Sequence, residues 1–188
     1  RVPVVPDLYW SALLDSPASG GLARATLDAA GSSCLVACTD AGEIVCFGAE
    51  GDVKWRRLIH DGFPGAAVTG DDASGSRFLV TAGASGRLYA LRADGQSAWE
   101  TALGSSTGVQ GPWVGDLAPL PGDEIVAGTA NGSLTVLDGY GETIWTSRTG
   151  KDPRFGVDLS AKQVVAASGQ GNKARVECLA ADGAPLWE

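Results

Sequence analysis

The side chains best suited to proton transfer stand side by side at His60-Asp61, where the chain's single histidine is followed at once by a carboxylate. An imidazole titrates near neutral pH and can take and return a proton, provided that a second group orients its other ring nitrogen. Adjacent loop residues rarely give one another that orientation, so His60 reads as a surface loop residue. Carboxylate pairs for glycoside cleavage could be drawn from Asp61, Asp116, Asp152 and Asp158. That chemistry depends on a defined carboxylate separation, which spacing along the chain does not supply. The expectation is a protein with no catalytic residues. The alternative is a lyase or hydrolase with His60 and nearby carboxylates at the mouth of a loop face.

Metal and redox chemistry are weakly provided for. Calcium takes six to eight oxygens from closely spaced acids and carbonyls, whereas after Asp116 the chain runs Leu117, Ala118, Pro119, Leu120, Pro121, Gly122 and Asp123. The stretch "GDDASGSR", with Asp71 and Asp72, is similarly thin. Both read as plain turns, with no metal and no cofactor expected. Cys34 and Cys38 stand four apart in one apparent strand, roughly 13 Å at about 3.3 Å per residue, too far for a bridge. The hairpin around "TDAG" sets Cys46 opposite Leu35 or Val36, Cys178 is remote, and no CxxC occurs. Free, buried thiols are expected.

These residues must be held by something, and the framework is a repeat. "CFGAEGDVKW", "ALRADGQSAW", "VLDGYGETIW" and "CLAADGAPLW" end on Trp55, Trp99, Trp145 and Trp187, at intervals of 44, 46 and 42 residues. Trp10 stands 45 residues before Trp55, within "DLYW". The third unit divides into four strands, "GPWVGD", "DEIVAGT", "GSLTVLD" and "ETIWTS", joined by glycine-bearing turns of the kind tight hairpins need. The second strands are apolar nearly throughout, as expected of a sheet covered on both faces, and no stretch holds a helical period with caps. A period near 45 residues with four strands per unit predicts a β-propeller. The expected fold is all-β, with four-stranded antiparallel blades in about four repeats, either half of an eight-bladed ring or a small closed ring. The expected blades are 11–57, 58–102, 103–148 and 149–188, with 1–10 carrying an extra outer strand. The recurring tryptophan is expected to wedge each blade against the next.

Composition narrows the partners. The chain has 188 residues, 44% hydrophobic and 19% charged, which favours folding over disorder. A formal charge of -8 argues against nucleic acid and anionic membranes, since phosphate binding needs clustered Lys and Arg. Lys54, Arg56 and Arg57 around Trp55 read as a solvated strand edge. No apolar run reaches the roughly 20 residues that cross a bilayer. The chain contains no Met, not even an initiator, which suggests a processed or excised product. Asn131 in "NGS" is formally a glycosylation acceptor, but Asn-Gly is also a strong hairpin signal and the turn reading is preferred.

The form "G-x-L-Y-A-L-x-x-D-G-x-x-x-W", complete at Gly86 to Trp99, resembles the pyrroloquinoline-quinone-type propeller repeat from Trp10 onward. The third unit also resembles the FG-GAP-type repeats of integrin-like propellers, whose first loop can carry calcium. The resemblance implies a propeller that serves as enzyme, assembly scaffold or adhesion module, with an extracytoplasmic tendency. No Cys-Cys pair occurs, and quinone-dependent oxidation is not expected.

In such a fold the crossings between blades gather on one side, and they hold the candidate binding residues: His60, Asp61, Phe63, Gln110, Trp113, Lys151, Asp152, Arg154 and Phe155. The three aromatic rings could stack a sugar or a peptide proline, or could plug the central channel. The expectation is a non-catalytic scaffold for a protein or carbohydrate partner, completed by self-association into a homo-oligomeric dimer or by a partner propeller segment. A propeller fragment with an assembly role only is a further alternative.

Overall fold

A computed structural model describes residues 10–27, 33–104, 109–170 and 173–187, without the side chains of 151–153 and 170. Sixteen strands form four antiparallel sheets of four, and no helix occurs among the described residues. Blade one is β1 (Leu22–Thr26), β2 (Ser33–Cys38), β3 (Glu43–Phe47) and β4 (Val53–Leu58). Blade two is β5 (Val68–Asp71), β6 (Arg77–Ala82), β7 (Arg87–Arg92) and β8 (Ser97–Ala102). Blade three is β9 (Val109–Gly115), β10 (Glu124–Thr129), β11 (Ser133–Leu137) and β12 (Thr143–Arg148). Blade four is β13 (Lys151–Asp158), β14 (Gln163–Gln170), β15 (Lys173–Ala180) and β16 (Pro185–Trp187). Within each blade the strands pair in chain order. Residues 1–9, where an extra outer strand was expected, lie outside the described residues, and Trp10 itself is in no strand.

The apolar second strands are explained by their position between neighbours. Successive residues of a strand point to opposite faces, and along β6 Leu79 packs toward blade one while Phe78, Val80 and Ala82 pack toward blade three. Three apolar clusters therefore lie between consecutive blades, one to two, two to three and three to four. A fourth covers part of the free face of blade one, where Trp10 and Leu14 lie on Ala37, Val45 and Phe47. Trp10 and Phe47 have ring centroids 5.5 Å apart. The four sheets do not close into a ring.

The tryptophan joint is the same at every step. The indole Nε1 of Trp10, Trp55, Trp99 and Trp145 donates to the carbonyl of Ala49, Ala93, Gly139 and Ala181, at 3.1, 2.9, 2.9 and 2.7 Å. Each ring lies over a turn glycine of the following blade: Gly51, Gly95, Gly141 and Gly183. These glycines have φ of 81 to 84°, and a Cβ would lie within 2.6 to 2.8 Å of an indole carbon. Only glycine meets both demands. The Gly-x-x-x-Trp spacing thus encodes a socket for the preceding blade and a plug for the next.

Candidate functional site

The crossings after β4, β8 and β12 and the hairpin turns between second and third strands share one side of the array. Ile59 donates to the carbonyl of Gly42 at 2.9 Å, Leu103 to that of Gly86 at 3.0 Å and Thr149 to that of Gly132 at 2.8 Å, and Ala84 donates to the carbonyl of Gly62 at 2.8 Å. The start of each crossing is therefore pinned to a turn.

His60 is exposed on this face and has φ of 56°, a left-handed conformation uncommon outside glycine. Asp61 follows, but its carboxylate is engaged at both oxygens. Oδ1 accepts from the Ser85 backbone N–H at 3.1 Å, and Oδ2 accepts from the Ser85 hydroxyl at 2.5 Å and from the Tyr89 hydroxyl at 2.9 Å. Burial pushes the Tyr89 phenol above its ordinary range, and the Asp61 charge acts in the same direction. Gly83 makes room for this arrangement, since a Cβ there would overlap the Asp61 carboxylate. Asp61 is a brace between the first crossing and blade two.

Phe63, expected on the binding face, is wholly buried and packs edge-on against Tyr89 with centroids 5.9 Å apart. The crossing turns inward at this point because the gap between blades one and two needs a large apolar filler. Trp113 and Phe155 belong to a different cluster, between blades three and four. The three rings therefore do not form one stacking platform. Trp113 stands on the innermost strand of blade three and, with Leu22, Arg24 and Thr69, lines an open hollow of about 510 Å³ bordered by the inner strands of blades one to three. Gln110 is half-buried at the start of β9, and Arg154 is exposed on β13. Lys151 and Asp152 lie on the β13 backbone, with side chains outside the described set.

The remaining candidate acids are also committed. Asp116 pairs with Lys162 at 2.7 Å, and Asp158 Oδ1 accepts from Ser160 and Ala161. Among the described residues no group of three or more His, Cys, Asp or Glu is placed to hold a metal ion. The loops read as thin calcium sites have other roles. Asp71 forms a two-point ion pair with Arg77, at 2.7 and 3.0 Å, and Arg77 also reaches the carbonyl of Thr26 on blade one at 2.9 Å. Asp123 Oδ2 accepts from the Asp71 backbone N–H at 2.9 Å. Glu124, which sequence reasoning passed over, is 1% exposed, and one of its oxygens accepts from both Leu117 and Ala118 N–H at 2.7 Å. Its signal was faint: an acid opening an otherwise apolar strand.

All four cysteines are free; three are buried and Cys34 is half-buried. Cys46 lies opposite Val36, one of the two registers expected, which sets Cys34 diagonally beside it on the same face. Burial first, and then the neighbouring Cys34 thiol, push the Cys46 thiol up to about 12.

A face of braced loops on radially stacked, four-stranded sheets defines a β-propeller. The chain belongs to the family of the lambda-carrageenase beta-propeller domain, whose profile matches residues 78–183. No curated protein matches its sequence. Among solved structures it is similar to BamB from Moraxella catarrhalis, at 21% identity and a TM-score of 0.71 over 95% of this chain and 54% of that one. It is similar to BBS1N in a complex with ARL6DN at 16% identity, with a TM-score of 0.60 over 89% of this chain and 51% of that one. A chain of the mitotic checkpoint complex aligns at 16% identity and a TM-score of 0.65, over 83% of this chain and 47% of that one. The chain spans about half the length of these structures, and at such identities the likeness is one of fold.

Proposed function

We propose that this protein is a non-catalytic propeller scaffold whose loop face, around His60, Gln110, Trp113 and Arg154, binds a protein or carbohydrate partner in an extracytoplasmic setting, and that self-association completes it. One observation carries the non-catalytic reading: each candidate acid whose side chain is described is spent on structure, Asp61 on Ser85 and Tyr89, Asp116 on Lys162, Asp158 on its own turn. A general acid or base must be directed at the substrate, and these three carboxylates are each anchored to a different part of the framework, with no two of them brought together as an acid–base pair. Binding is supported by the pinned crossings, which present a fixed surface at little entropic cost, and by neighbours in fold that occur in complexes, such as BBS1N with ARL6DN. The pyrroloquinoline-quinone-type repeat form fits the same use.

The family description favours a second reading, a module of a polysaccharide-degrading enzyme. The two separate in one experiment. Lambda-carrageenan and a neutral agarose oligosaccharide are titrated calorimetrically, and reducing ends are assayed in parallel. The scaffold reading expects no release of reducing ends, with any heat of binding reduced by Trp113→Ala or Arg154→Ala. Turnover that vanishes in His60→Ala overturns it.

A further inference from the structure

Blade one departs from the common blade pattern beside its tryptophan. In the four blades the indole-bearing residue pairs with Cys46, Ala90, Val136 and Cys178 on the third strand. These pair in turn with Val36, Val80, Val126 and Val165 on the second strand. Two residues before each valine, on the same face, stand Cys34, Phe78, Glu124 and Gln163. In blade two the Phe78 ring fills this place, 6.4 Å from that of Trp99, and the hollow beside it measures about 120 Å³. Blade one has only the small Cys34 side chain there. The hollow beside it measures about 510 Å³, with Cys34, Cys46 and Trp55 in its wall and Asp52 and Lys54, paired at 2.8 Å, at its rim. It lies at the turns after the first and third strands, the edge of the blades opposite the crossings.

Two thiols share this wall. Cys46 is paired opposite Val36, so Cys34 is its diagonal neighbour, and both pack in the cluster between blades one and two. Side chains at these two places reach one another: in blade four the Cys178 thiol, counterpart of Cys46, donates to Gln163 Oε1, counterpart of Cys34, at 3.4 Å. Diagonal Cα atoms stand about 7–8 Å apart, beyond the roughly 4.4–6.8 Å of a disulfide. A direct bridge is disfavoured, whereas an intervening ion adds two metal–sulfur bonds to the span. Zinc and iron–sulfur sites take four ligands, and among the described residues no group of three or more His, Cys, Asp or Glu is placed to supply them. Two sulfurs alone suit a soft ion content with two ligands. We propose that Cys34 and Cys46 together bind one cuprous ion in this hollow. Two S–H bonds break, two copper–sulfur bonds form, two protons pass to solvent and the copper stays Cu(I). The resulting bis-thiolate carries one net negative charge. The Lys54 ammonium at the rim favours the charged form of Cys46, and Asp52 opposes it more weakly. The site is independent of the loop face.

Anaerobic titration of the reduced chain against the coloured Cu(I)–bicinchoninate complex tests it. Wild type is expected to withdraw one equivalent of Cu(I) from the chelator. Cys34→Ser and Cys46→Ala are each expected to weaken uptake by at least about a hundredfold, since each removes one of two ligands. Cys34→Phe, which copies Phe78 of blade two, is expected to abolish it by filling the hollow. Cys38→Ala and Cys178→Val copy Ala82 and Val136 at the same places in other blades and should leave uptake unchanged. One equivalent of Cu(I) should also protect Cys34 from iodoacetamide in the native protein. Wild type that withdraws no copper overturns the proposal, as does undiminished uptake by Cys34→Ser and Cys46→Ala. Cys46→Ala has the residue that blade two carries as Ala90, so this arm stands even if Cys34→Phe fails to fold. Native labelling of Cys34 at the same rate with and without the ion overturns it as well.

Discussion

Trp55 of blade one lies on Gly95 of blade two, with its Nε1 2.9 Å from the Ala93 carbonyl and its ring carbons 2.8 Å from where a Cβ on Gly95 would stand. Hydrophobic burial, a hydrogen bond and a left-handed turn thus meet at one glycine. Gly95→Ala is expected to cost about 2–4 kcal/mol, of which the positive φ accounts for about 1–2. Gly75→Ala is the control, because Gly75 has φ of 77° and nothing within 4 Å. It should cost only the conformational part. Urea unfolding of the two variants separates steric docking from backbone strain, and equal losses would remove the docking explanation.

The Asp61 brace gives a second expectation. Asp61→Ala leaves Ser85 and Tyr89 without their acceptor, and Tyr89→Phe removes one donor while keeping the ring that packs on Phe63. Charge-assisted hydrogen bonds contribute about 1.5–3 kcal/mol, so Asp61→Ala should cost about 2–3 kcal/mol and Tyr89→Phe about 1. Because both act at one carboxylate, the double variant should cost less than the sum. Strict additivity in a double-mutant cycle would show that the two residues do not share this brace.

The blades were legible in the sequence because their signal is periodic. Gly-x-x-x-Trp and the two-faced apolar strands recur four times, and each recurrence constrains the others. That the indole of one unit belongs on the glycine of the next was not legible, since spacing within a unit is silent about contacts between units. The site was harder still. Phe63 and His60 look alike as loop residues, yet one is 0% exposed and the other lies in solvent. Only the width of the gap between blades one and two decides between them. Asp61 stands in the sequence as a binding candidate beside His60, and nothing local shows that Ser85 and Tyr89, 24 and 28 residues later, close on its oxygens.

Thiol chemistry should follow burial. Burial pushes Cys38 up to about 11 and Cys46 up to about 12, so neither forms thiolate at pH 8. Ellman's reagent on the native protein at that pH should label Cys34 first and the other three only on unfolding, with four equivalents in denaturant. Rapid native labelling of Cys46 would mean that the rim between blades one and two opens.

Asp71, at the junction of blades two and three, and Glu124, on the blade-four side of blade three, should respond to acid with opposite sign. The hydrogen bond from Arg77 holds Asp71 below its ordinary range. A depressed folded-state value means that its contribution is present above the ordinary Asp range and lost as pH falls through the lower folded value. With both partners about 40% exposed, the contribution is below about 1 kcal/mol. Glu124 is raised, chiefly by burial, although its two backbone hydrogen bonds oppose the shift. A raised value contributes stability below the ordinary Glu range that is lost as pH rises through the folded value, so at neutral pH the Glu124 charge is a net cost. Glu124→Gln keeps an oxygen for Leu117 and Ala118 and drops the charge; it should match or exceed wild-type stability at pH 7, and that advantage should vanish below about pH 4. Asp71→Asn should do the reverse, weaker than wild type at pH 7 and level with it in strong acid. Urea midpoints across pH 2–7 check both, and parallel profiles for the two variants would refute the opposed signs.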